Sequence, residues 1–158
     1  MRFEKQITIP APRAVVWDFL WNISRLAACI PGCRAAEEVE PYAHYTATVQ
    51  EKVGPFRVSV PLDIDILEQQ RPERLRATAR GRDSMVQSHV KVELALALTE
   101  VDPQHTVFQV QADVVVLGKL GTLGHSVIVR KGEEIFGQFA TALQAEIQKE
   151  GGACYSRL

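Results

Sequence analysis

Cys29 and Cys33 flank Ile30-Pro31-Gly32, and two thiols at that spacing could hold a metal or cycle between dithiol and disulfide. A closed zinc site needs four ligands, and His44, His89, His105 and His125 stand at no ligand spacing from the pair. Redox dithiols are usually separated by two intervening residues, C-x-x-C, before a helix. The plainer reading is a tight turn at Pro31-Gly32 with the cysteines as small apolar fillers. Cys154 makes the count three, too few and too odd for a disulfide framework. Gly118, Gly121 and Gly124 lack the Gly-Lys-Ser/Thr ending of a phosphate loop. Spaced by three at a helix start, they put small residues on one face, which lets the backbone approach a sheet or leaves room for a ligand. The histidines are scattered and expected to be solvated or capping, with His125 nearest the expected mouth of any cavity. No Ser-His-Asp set, Cys-His set or carboxylate pair stands out, so no catalytic residue and no metal site is predicted. Arg74, Arg76, Arg80 and Arg82 form a basic stripe on one strand, and Asp63 and Asp65 an acidic one on its expected neighbour. Exposed cross-strand pairs of this kind contribute about 0.2–1 kcal/mol each, and docking of an acidic partner is the sharper alternative.

The elements that must position these residues follow from periodicity. Phe3, Lys5, Ile7 and Ile9 alternate with polar residues as a first strand, and Pro10 and Pro12 stop it. Val15, Val16, Phe19, Leu20 and Ile23 recur at helical spacing from Pro12 to about Asn22, and a short helix follows over Ser24–Ala28 before Pro31-Gly32. Period-2 alternation then predicts strands at Tyr45–Val49, Phe56–Ile66, Leu75–Ala79, Val86–Leu98 and Phe108–Val116, with turns at Gly54-Pro55, Arg71-Pro72 and Asp102-Pro103. From Leu120 the spacing is helical until Gly151-Gly152, roughly seven turns. The sequence therefore predicts an α+β domain over residues 1–150, order β-α-α-β6-α, with a short tail at 151–158. An antiparallel sheet of six to seven strands with one apolar face must curl around the long C-terminal helix, the one large amphipathic cover available. A gap between the two would be lined by aliphatic side chains, the usual setting of a small-molecule site; a solid core is the alternative that pattern alone leaves equally open.

Formal net charge is −1 over 158 residues, which speaks against nucleic acid as a partner. The polar start, Met1-Arg2-Phe3-Glu4-Lys5-Gln6, is unlike a signal peptide, no window has the length of a spanning helix, and a cytoplasmic setting is expected. Ser156-Arg157-Leu158 approximates a peroxisomal address, a match that three residues make readily by chance.

Cys29-Ile30-Pro31-Gly32-Cys33, Val53-Gly54-Pro55-Phe56 and Gly118-Lys119-Leu120-Gly121-Thr122-Leu123-Gly124, together with Val16-Trp17, resemble the carbon monoxide dehydrogenase CoxG family of the START-like (SRPBCC), helix-grip superfamily, which also holds polyketide cyclases. The resemblance runs from Phe3 to about Leu143 with the segments in order. It implies a helix-grip fold with an internal hydrophobic cavity and an accessory role beside a molybdenum hydroxylase such as carbon monoxide dehydrogenase. That role is membrane attachment of the enzyme or delivery of a quinone. Longer members carry a C-terminal extension that contacts the membrane; with the sequence ending at Leu158, at most transient contact, at the inner face of the cell membrane, is expected. Lys131, beside Arg130, places charge in a helical region where apolar residues are expected, and alters the polarity of the cavity.

The reading is thus a non-enzymatic protein that binds a quinone or lipid-like molecule, without a covalent cofactor. Inward positions by alternation are Phe56, Val58, Val60 and Leu62, then Val92 and Leu94, then Val110 and Ala112, with Leu123, Val127, Ile135 and Phe139 from the helix. Pro31 and Gly32 form the rim that the resemblance implies. A polyketide cyclase or aromatase-like enzyme working in the same cavity is the alternative; it needs polar groups that these aliphatic faces do not supply.

Overall fold

The computed structural model describes residues 1–83 and 85–156, with side chains through Lys149. β1 (Arg2–Ile9) leads through Pro12, extended at φ −60° and ψ 149°, into α1 (Arg13–Leu20), which buries Val16, Trp17, Phe19 and Leu20. α2 (Ile23–Ala28) opens at Asn22, whose side chain accepts from the Arg25 N–H at 3.4 Å. Six strands follow, β2 (Cys33–Glu40), β3 (His44–Val53), β4 (Phe56–Gln70), β5 (Arg74–Asp83), β6 (Ser88–Asp102) and β7 (His105–Gly118). A 3-10 turn, η1 (Leu120–Leu123), precedes α3 (His125–Ser156). All seven strands form one antiparallel sheet in the order β1-β7-β6-β5-β4-β3-β2. The predicted order of elements holds.

Alternation sets which face each strand turns inward. Register places Val110 between Lys5 and Leu96, Leu96 opposite Leu75, and Leu94 opposite Ala77, so one face is apolar across the sheet. A sheet this wide curls. Lys131 and Glu133, one turn of α3, form ion pairs with Glu51 on β3 and Lys5 on β1 respectively. In a flat sheet those two strands, five spacings apart, would lie about 24 Å from each other, beyond the reach of one helical turn.

Four expectations need correction. The strand Cys33–Glu40 shows no alternation and is not predicted; Ala35 at φ 51° and shifted register mark it as a bulged edge strand rich in Glu. β6 begins at Ser88, because Asp83 draws Val86 into the preceding turn. The last helix does not begin at Leu120. Gly118 (φ 86°) ends β7, Gly121 sits in η1, and Gly124 (φ 92°) separates η1 from α3, so the three glycines do not share a helix face. The third-residue spacing reflects two backbone reversals and a 3-10 turn instead. Finally, α3 continues past Gly151-Gly152 to Ser156, since glycine disfavours a helix interior by only about 1 kcal/mol and does not forbid it. The Cys154 side chain and the Arg157-Leu158 end of the sequence lie outside the described residues.

Buried polar groups close the ends of the grip. Thr106 Oγ1, fully buried, donates to Ala11 O at 2.8 Å and ties β7 to the β1–α1 connection. Ser88 Oγ accepts from Leu120 N at 2.9 Å and donates to Val86 O, joining the β5–β6 turn to η1. Asp83, 3% exposed, accepts from the N–H groups of Ser59, Met85 and Val86 at 2.7, 2.8 and 3.0 Å. Burial pushes its carboxyl up, but the three backbone donors outweigh burial and leave it below the usual carboxylate range. Asp83→Ala strands those donors and is expected to lower the unfolding free energy at pH 7 by on the order of 3 kcal/mol in chemical denaturation. Because the folded pKa is depressed, the contribution is complete above the unfolded value of about 3.9 and is lost as pH falls through the folded one, so wild type and Asp83→Asn should converge in stability on acidification.

Candidate ligand site

The buried core divides into two clusters. One gathers Trp17, Phe19 and Leu20 of α1 with Ile9, Phe108, Leu98, Leu143 and Ile147, and covers the end of the sheet nearest α1 and α2. The other gathers Val53, Val58, Val60, Val86 and Leu120 at the opposite end, beside the β3–β4 hairpin and η1. Between them, on the same apolar face, lie Ile64 (β4), Ala79 (β5), Val92 (β6), Ala112 and Val114 (β7) and Ile135 and Phe136 (α3), which belong to neither cluster and remain half-buried. α3 makes its close approaches to the sheet at β1 and β3, the flanks, rather than at the central strands. The sheet and helix thus enclose an aliphatic band that the protein's own side chains do not fully cover.

The sequence-predicted residues fall into three groups on this face. Phe56, Val58, Val60, Leu62, Leu123 and Val127 lie in or against the second cluster and form one end wall. Leu94, Val110 and Phe139 pack against the first and form the other. Val92, Ala112 and Ile135 belong to the intermediate band. Pro31 and Gly32 enter β2, and Gly32 O accepts from Gln50 N at 2.9 Å, so the turn rests on β3. Gly32 has φ 75°, and a Cβ there would lie 2.1 Å from Gln50 O and 3.2 Å from Glu51 Cγ. The hairpin glycine Gly54 faces Leu123 of η1, closing the far end.

Reasoning from sequence missed several residues here. Tyr45, Ala47, Val49 and Glu51 alternate inward along β3, and Glu51 is the charged member of that series. Its partner is Lys131: Nζ lies 3.0 Å from Glu51 and 3.6 Å from Glu134, with Lys131 and Glu51 side chains 17% and 19% exposed. Burial pulls the Lys131 pKa down, but hydrogen bonds and charge from Glu51 and Glu134 outweigh it and hold the ammonium protonated. Gly132 beside it admits the Phe3 ring so closely that a Cβ would sit 2.5 Å away, which seats the middle of α3 on β1. At the other end Trp21 stacks edge-on to Tyr42 at 4.8 Å and near Tyr45 at 6.3 Å, and its buried Nε1–H meets no acceptor among the described residues.

The remaining candidates do not converge. Cys29 is buried and donates to Arg25 O at 3.4 Å, and burial pushes both the Cys29 and Cys33 thiols up, against the thiolate that nucleophilic or metal chemistry needs. His44 bonds Asp65 at 2.8 Å and His105 bonds Asp102 at 2.9 Å, while His89 and His125 are exposed. Among the described residues no group of three His, Cys, Asp or Glu could hold a metal ion. Arg76 pairs with Glu68 at 3.0 Å and Arg74 donates to Gln70 at 2.7 Å, while Arg80 stands opposite Asp63. Asp63 and Asp65 also approach His44. Arg74, Arg76 and Glu68 flank a groove of about 610 Å³ on the outer side of the sheet, floored by Ala95 and Ala97; its mixed charge does not favour an acidic partner.

A family model described as the CoxG component of carbon monoxide dehydrogenase matches residues 6–148. A conserved protein from Geobacillus kaustophilus superposes with a TM-score of 0.85 at 21% identity, over 94% of this chain and 96% of its own. A START superfamily protein from Mycobacterium smegmatis gives 0.70 at 14% identity, over 94% and 97%. The Zhui aromatase/cyclase from Streptomyces sp. R1128 gives 0.70 at 16% identity, over 94% of each chain. Identities this low speak for the fold alone, which is the START-like helix-grip fold. No curated protein matches the sequence.

The positive φ of Gly32 and the crowding by Gln50 O make that position intolerant of any side chain. Gly32→Ala is expected to cost at least about 2 kcal/mol, read as a fall in melting temperature of roughly 4–8 °C.

Proposed function

We propose that this chain, which belongs to the carbon monoxide dehydrogenase CoxG family, is a non-enzymatic carrier that holds a quinone or lipid-like molecule in its grip on behalf of a molybdenum hydroxylase-type enzyme. The observation that carries the reading is the half-buried aliphatic band between two packed clusters, on the face that the helix and sheet share. An apolar tail laid along that band exchanges water contact for contact with Val92, Ala112, Val114 and Ile135. Each CH₂ so buried contributes about 0.8 kcal/mol, so about fifteen buried carbons, ~12 kcal/mol, reach micromolar affinity after ~4 kcal/mol is offset by lost ligand freedom.

The enzyme partner comes from the family's description, since one component of a dehydrogenase acts beside the others. No helix among the described residues is long and apolar enough to cross a membrane. In the carrier reading the protein works in the cytoplasm and touches the inner face of the membrane to load or unload. A second reading, an aromatase/cyclase-like enzyme, draws on Glu51 and Lys131, which meet inside the grip. Lys131 held protonated can donate hydrogen bonds but makes a poor base, and the other ion pair between α3 and the sheet, Lys5 with Glu133, lies on the opposite flank at β1, so carriage is favoured over catalysis.

Native mass spectrometry after exposure to a membrane lipid extract, with titration of intrinsic tryptophan fluorescence by menaquinone, tests the carrier reading. Trp17 and Trp21 belong to or pack on the first cluster, so a retained apolar adduct and saturable quenching at micromolar menaquinone are expected. Absence of both would sink the reading.

A further inference from the structure

Val127, Lys131 and Ile135 follow one another at intervals of four residues and share one face of α3. Lys131 is therefore an ammonium set within an aliphatic stripe, and Glu51 is its counterpart within the inward series of β3. We infer that the Glu51–Lys131 pair is the polar end of the apolar site and selects neutral carbonyl compounds over carboxylates among long-chain ligands. The inference rests on the carrier reading and adds to it the chemistry of the head group.

Three observations support it. An ammonium carries three donors, and the ion pairs with Glu51 at 3.0 Å and, more loosely, Glu134 at 3.6 Å account for at most two of them, which leaves at least one N–H for a further acceptor. Two carboxylates against one ammonium give the cluster one net negative charge, so a third carboxylate is repelled while a neutral oxygen is not. Glu51 and Lys131 are less than one-fifth exposed, where water screens their interaction with a head group poorly, while Glu134, more open to solvent, contributes the smaller share of the repulsion. Lys131 stays protonated in these surroundings, so the donor is present at neutral pH. The Gly32 turn, against Glu51 Cγ, places the pair beside the predicted rim, so a ligand would enter tail first with its head group left at Lys131.

The test measures dissociation constants of the full chain for two probes of similar tail length, 2-methyl-3-decyl-1,4-naphthoquinone and dodecanoate, at neutral pH by calorimetry. Wild type is expected to bind the naphthoquinone at least tenfold more tightly. Glu51→Gln keeps a hydrogen-bond partner for Lys131 but removes one negative charge, so the preference should shrink about tenfold, chiefly through tighter dodecanoate binding. Lys131→Met should weaken the naphthoquinone five- to tenfold, with circular dichroism and the melting temperature verifying that each variant is folded. Equal binding of the two probes by wild type, or an unchanged ratio in Glu51→Gln, would overturn the inference while leaving the carrier reading standing. Failure of wild type to bind either probe would overturn both.

Discussion

Seven strands spaced at about 4.8 Å make a sheet roughly 29 Å wide, whereas a helix with its side chains is about 10–12 Å across, and the mismatch between those widths governs this fold. One helix cannot cover such a face flat. The sheet must curl round it, and whatever the curl leaves uncovered must be covered by something else or stay wet. Here α1 and α2 cover one end, while the β3–β4 hairpin and η1 close the other. The middle has no such cover. An internal site in this architecture is a geometric remainder, which evolution can size by choosing side chains along a few strands.

That logic explains which parts of the molecule were legible in its residues. β4, β6 and β7 alternate over nine or more positions each, so their inward faces follow from sequence with no knowledge of partners. β2 gives no such signal because the bulge at Ala35 and a second register shift break the period and most of its side chains are exposed. The glycine run before α3 looked helical because two reversals and a 3-10 turn happen to place glycine every third residue. The site was only half legible. Lys131 stood out as a charge in an apolar stripe, but its partner lies 80 positions away on a strand predicted only as far as Val49, two residues short of Glu51.

The same chain shows how an open sheet edge is kept solitary. β2 ends the sheet on one side with Arg34, Glu37, Glu38 and Glu40 all exposed and its register shifted twice. Charge and irregular pairing discourage a second sheet from adding to that edge. Long aliphatic strands such as β4 and β6 are thus held in the interior of the sheet order, away from either border.

The two ion pairs that clasp α3 have opposite polarity: the helix offers a cation towards β3 and, two residues on, an anion towards β1. Turning the helix about its axis would set Glu133 against Glu51 or Lys131 against Lys5, and like charges would meet at both contacts. The pairs therefore act as a key for the azimuth of α3, fixing which stripe of a helix with several half-apolar sides looks into the grip. A lining defined by rotation can be retuned by moving the key, without altering a single strand.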